Sequence, residues 1–331
     1  MYGVKKIILS RKGFDSSSGG DYSPFDLATG KYIVLPIPQD EDEVKISNRQ
    51  KFEEIKIKSN YFKEYNASNL KELIERVTKK GKAMIKKNRL DYAHFDPWLG
   101  HCPWLEEESN HSIGVFGQVD GAQTHLRNQE VEEGSLFLFF SRFKPTGDAR
   151  ENKLGINISA KHLKEGLYFI YGWLRVGWKP IQKFEEIDNI DILNAKEKEE
   201  LRSHHPHATP EYFQNCKGKN NTIYIAHKYL LDNSTKFPGC SYFPVLSDKL
   251  LLTATDSDQS SDQSQMPNWL ASRWKLPPGF SYQTCCSVLK NPAKWKTTNI
   301  VETSWHWQEA VFKESEEFSD WFKGLLEGMH K

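Results

Sequence analysis

Seven short runs of aromatic and β-branched residues limit what this chain can become: Lys31 to Ile37, His111 to Gly117, Ser135 to Phe143, Leu167 to Lys179, Thr222 to Leu231, Lys249 to Ala254 and Thr303 to Phe312. Gly, Pro, Asn or Asp bound them, as expected of strands. Helical spacing is rarer. Leu70, Leu73, Ile74 and Val77 share one helix face behind the potential cap Ser68, and Gly81 is placed to end or bend that helix. Asn189 to Arg202 reads as a charged helix that stops before His204-His205-Pro206-His207, and Phe318, Trp321, Phe322, Leu325, Leu326 and Met329 form one apolar stripe after Ser315. The expectation is an α+β fold with a β-rich centre, peripheral helices and a C-terminal amphipathic helix. It is read as one domain over residues 1–331, with a helical insertion around 47–90. Thr255 to Gln265 carries no apolar residue and is expected to be a mobile surface loop.

Charge excludes one class of partner. With 45 basic and 44 acidic residues the net charge is +1, so no global field draws the chain to nucleic acid or membrane. Any nucleic-acid contact must be local. No apolar run approaches the ~18 residues that would argue a membrane span. Five cysteines at 102, 216, 240, 285 and 286 lack a paired metal spacing, as reduced thiols do, and the chain is read as cytoplasmic, its four Asn-x-Ser/Thr sequons as chance.

Chemistry concentrates where the strand-forming Lys5 to Leu9 runs into Ser10-Arg11-Lys12-Gly13-Phe14-Asp15-Ser16-Ser17-Ser18-Gly19-Gly20. A Gly/Ser-rich turn after a strand can point several N–H groups and hydroxyls at one anion, with Arg11 and Lys12 supplying charge. Ser10, Arg11, Lys12, Ser16, Ser17, Ser18 and Gly19 are therefore the candidate cofactor- or phosphate-binding set. Neither a Walker Gly-Lys-Ser/Thr order nor Gly-x-Gly-x-x-Gly is present.

Elsewhere, single polar residues lie inside apolar segments, where they need partners. Asp96, His125 and Glu309 are of this kind, and with Asp15 they are the candidate catalytic groups. His204, His205, His207 and Cys216 match no standard structural zinc spacing, so no metal is assigned, and the cofactor stays open. The turn and strand Glu132 to Phe140, followed by the strand Tyr168 to Gly177, resemble the small PUA-like barrels of the EVE, ASCH and YTH domains. That likeness implies a pocket for an extruded base lined by Phe139, Tyr171 and Trp173, and Gln123 and His207 complete the expected base contacts.

Taken in order, the segments resemble the family known as nucleotide modification associated domain 3. The matching stretches are Ile8 to Gly20, Leu35 to Pro38, His94 to Pro97, Gly117-Gln118 with Gly121 to Leu126, and Gly134 to Phe140, where Ser135 replaces an acid. Further on come Tyr171 to Val176, His205 to His207, Ser272 to Pro277, and Gln308 to Val311 with Ala310 in place of an aromatic residue. The resemblance implies association with enzymes that make hypermodified DNA bases, often in phage or defence settings. It implies DNA or a nucleotide as partner, and other base-modification enzymes beside it. The expected function is thus work on nucleotides or DNA, by a transferase, by a non-catalytic reader of a modified base, or by an effector that modifies nucleic acid in conflict. Arg11, Asp15, Asp96, His125, His207 and Glu309 are expected to converge on one pocket.

Overall fold

The computed structural model describes residues 4–14, 19–62, 65–78, 91–147, 152–154, 165–216, 220–231, 234–254, 273–302 and 309–329. The first strand, β1 (Ile7–Arg11), forms from β-branched and leucine side chains that are almost wholly buried. It is followed by β2 (Ser23–Asp26), β3 (Ile37–Pro38), β4 (Ala93–His94), β5 (Trp98–Leu99), β6 (Gly114–Gln118), β7 (Leu136–Thr146), β8 (Leu167–Arg175) and β9 (Thr222–Ile225). Then come β10 (Tyr229–Leu231), β11 (Ser234–Pro238), β12 (Cys240–Tyr242), β13 (Arg273–Lys275), β14 (Ile300–Glu302) and β15 (Glu309–Phe312).

The main sheet runs β12-β8-β7-β1-β15. Its axis is β7, whose length lets it hold two neighbours on one edge. β1 lies parallel along its first half, from Ile7 opposite Leu136 to Arg11 opposite Phe140, and β2 lies parallel along its second half, from Ser23 opposite Phe143. The opening turn therefore leaves the sheet midway along that edge. On the other side of β1, β15 pairs antiparallel and puts Glu309 opposite Ser10. Phe137, Leu138, Phe139, Phe140 on β7 and Phe169, Ile170, Tyr171, Trp173 on β8 are all at or below 1 % exposure. A strand covered on both faces needs such a near-continuous apolar run.

A smaller sheet, β5-β6-β9, and the β3-β4 pair stand apart from it. The α+β class holds, while the PUA-like barrel does not: among the described residues the sheets are open and no closed barrel forms.

The helices are α1 (Glu43–Ile46), α2 (Leu70–Val77), α3 (Asp120–Asn128), α4 (Ala195–His204), α5 (Pro210–Asn215) and α6 (Glu316–Gly328). Asn69, not Ser68, caps α2, accepting from the Glu72 N–H at 3.0 Å. It is the one α-helix longer than a single turn among the described residues of 47–90, and Gly81 lies outside them. The stripe on α6 buries Phe318, Phe322, Leu325 and Leu326. Ser315 Oγ caps α6 by accepting from the Phe318 N–H at 3.3 Å. Ser315→Ala should lower stability by about 1 kcal/mol, read as a shift in the denaturation midpoint. The segment 255–265 lies outside the described residues. None of the described helices is long and apolar enough to cross a membrane.

Candidate functional site

A cleft of about 1460 Å³ opens where the ends of β1, β4, β6 and β15 meet α1, α3 and the segment joining α4 to α5. Arg11, Lys12, Asp96, His125, His207 and Glu309 all line it. These residues come from five separate stretches of the chain. Asp15, Ser16, Ser17 and Ser18 lie outside the described residues. Gly19 is described, at φ +90°, and a Cβ there would meet the Phe14 ring at 2.6 Å.

The β1–β15 pairing fixes one wall. Glu309 is 3 % exposed, and Ser10 Oγ donates to its Oε1 at 3.4 Å. Gln118 Nε2 donates to the same oxygen, and the Lys12 ammonium lies 3.6 Å away. Lys12 also sits over the Phe116 ring, 4.6 Å from its centroid. A buried carboxylate needs such partners, and here β1 and β6 supply them. Ser10 thus serves the carboxylate rather than the cleft surface.

The opposite wall is a chain of imidazoles. On β4, His94 Nδ1 bonds to the Glu43 carboxylate, which also accepts from Tyr212 Oη at 3.1 Å. Burial would push the His94 imidazole down, yet Glu43 and then Asp96 lift it above its ordinary value. His94 Nε2 stands 3.1 Å from His207 Nε2, while His207 Nδ1 donates to Asn221 Oδ1 at 2.7 Å. Asn221 Nδ2 in turn donates to the His207 carbonyl at 2.8 Å, which fixes the orientation of the amide. Burial and the facing His94 push His207 down to about 3. Asp96 accepts from the Gly117 N–H at 3.0 Å and from His205 Nε2 at 3.1 Å. Burial alone would raise its carboxyl, but His205, His207 and His94 hold it below the usual carboxylate range. Donor atoms of His94, Asp96 and His207 all lie within 4.8 Å of one another.

Between the walls lies the first turn of α3, where Gly121 and Ala122 face the cleft. The N–H groups of a first helical turn favour an anion, and Arg11 and Lys12 line the same cavity. His125, one turn on, presents a buried Nε2 with no hydrogen-bond partner among the described residues.

Four of the expected base contacts are elsewhere. Phe139 packs on Phe137 and Phe116, Tyr171 on Phe143 and Tyr242, and Trp173 on Phe243 and Phe322. Gln123 is 3 % exposed and accepts from Tyr224 Oη at 3.0 Å. None of these four lines the cleft: β7 and β8 hold the three aromatic rings inside the core, and Gln123 on α3 is turned toward Tyr224. His94, Glu43 and Gln118 are the residues that motif reading passed over. The His-x-Asp spacing of His94 and Asp96 was a signal for the first, whereas Glu43 ends an acidic run that reads as a solvated face.

No curated protein and no solved structure matches the chain. The model of one family does, across residues 6–313, and that span holds every residue of both walls. The chain belongs to the nucleotide modification associated domain 3 family.

Proposed function

We propose that the cleft takes a nucleotide, free or within DNA, and acts on it as a transferase in a base-modification pathway. The observation that carries this reading is the convergence of Arg11, Lys12, Asp96, His125, His207 and Glu309 on one cavity. Phosphate would sit between Arg11, Lys12 and the Gly121 and Ala122 N–H groups of α3, where the two cations offset the Asp120 carboxylate of the same turn. Glu309, next to Lys12, would accept the proton of the attacking group, and Asp15 is the alternative base. His125 Nε2 would bond the substrate, since nothing among the described residues satisfies it. A reader that stacks a base on Phe139, Tyr171 and Trp173 gains no support, because all three rings are within the core. Other base-modification enzymes are the expected partners. Five free cysteines fit a reducing compartment such as the cytoplasm.

Arg11→Ala should weaken nucleoside triphosphate binding about tenfold or more, since a charge-assisted hydrogen bond is worth roughly 1.5–3 kcal/mol. Calorimetric titration of parent and variant checks this, and equal affinities would remove Arg11 from the phosphate site. Because net charge is only +1, any duplex binding should also be weak, resting on a local patch of phosphate contacts and lost as salt rises.

A further inference from the structure

Two features of the imidazole wall go unused in that reading. The first is a conflict of lone pairs. His94 and His207 each commit Nδ1 as a donor, to Glu43 and Asn221, so both neutral rings would present an Nε2 lone pair to the other. Those atoms are only 3.1 Å apart and both rings are buried. Something positive belongs between them, either a proton carried on His94 Nε2 and donated to His207 or a cation that takes both lone pairs. The second feature is that every outward atom is already anchored. A carboxylate holds His94, an amide holds His207, and the Gly117 N–H together with His205 holds Asp96 Oδ1. Metal-ligating histidines are oriented by such partners on the ring nitrogen that does not bind.

We propose that His94 Nε2, His207 Nε2 and an Asp96 carboxylate oxygen bind one divalent transition-metal ion, leaving its remaining positions open to the cleft. Two bonds of about 2.1 Å to nitrogens 3.1 Å apart enclose an angle of roughly 95°, which suits an octahedral face and is within reach of a distorted tetrahedron. Donors on an octahedral face or a tetrahedron with bonds of about 2.1 Å lie roughly 3.0–3.4 Å apart, so a pair up to 4.8 Å apart must draw in by roughly 1.4–1.8 Å when the ion binds. Two imidazoles and one carboxylate select borderline ions such as Zn²⁺, Fe²⁺ or Co²⁺, and admit the harder Mn²⁺ more weakly, over Mg²⁺ or Ca²⁺, which prefer all-oxygen shells. Because all three residues line the cleft, the open positions face the substrate's space. Cys216 also lines the cleft but is not among the grouped donor atoms.

Full-length protein stripped with a chelator and titrated separately with Zn²⁺, Co²⁺ and Mn²⁺ tests the site. One equivalent of at least one ion should bind by calorimetry and by elemental analysis after dialysis. Bound Mn²⁺ should show hyperfine coupling to two imidazole nitrogens. His94→Gln and His207→Gln should each weaken binding by about 100-fold or more, and Glu43→Gln by roughly 10–100-fold as a positioning residue. Glu309→Gln, on the other wall, should bind the ion as the parent does. Folded parent that takes up none of the three ions, or a bound Mn²⁺ without nitrogen coupling, overturns the proposal even if the histidine variants fail to fold. So does an affinity that both histidine variants retain. Metal binding without nucleotide affinity would count against the nucleotide reading alone, and nucleotide affinity in a chain that binds no metal would count against the metal site alone.

Discussion

Gly117→Ala should lose both stability and the imidazole wall. A Cβ on Gly117 would lie 2.2 Å from two ring carbons of His207. The ring cannot give way, because Asn221 bonds its Nδ1 and its own carbonyl, and the side chain is buried against His94 and Tyr212. Forcing a methyl group into such packing costs about 1–3 kcal/mol. The displaced Gly117 N–H also leaves Asp96 short of a donor. Thermal denaturation should show the drop, and ligand or metal titration the damaged cleft. Gly121→Ala is the matched control, since a Cβ there meets nothing within 4 Å. Equal melting temperatures for the two variants would mean that the His207 ring is not held where the packing places it.

The second large effect is expected at Glu309. Glu309→Gln keeps the shape of the side chain and removes its charge, so Ser10 and Gln118 can still bond the amide while Lys12 loses its counter-ion. If Glu309 takes the proton, turnover should fall roughly 10²–10⁴-fold with substrate affinity changed only a few-fold. Mass spectrometry of DNA from cells carrying the variant and its neighbouring pathway genes would record the loss of modified base. A modified-base yield equal to that of the parent would assign Glu309 to structure and leave Asp15 as the base to test.

Glu309 could be found from sequence because one acid inside an apolar run must have a partner, and Ser10, Lys12 and Gln118 provide it. Asp96 and His125 were legible for the same reason. The aromatic contacts were misplaced on β7 and β8 because an apolar run reads alike whether its rings line a pocket or fill a core. Only the pairing of β7 with β1, β2 and β8 decides for the core. The metal-like cluster was hidden by distance along the chain: His94 and Asp96 lie 113 and 111 residues from His207, and no local spacing signals a site assembled from a β-bridge and an interhelical segment. Glu43 had no signal at all, since its role depends on α1 packing against α5.

A crystal structure of the full chain soaked with a deoxynucleoside triphosphate tests the central claim most directly. The account predicts phosphate oxygens within hydrogen-bond reach of Arg11 and the first-turn N–H groups of α3, with the base extending toward His125 and His207. A nucleotide seated away from this cleft, or none bound at millimolar concentration, would contradict it.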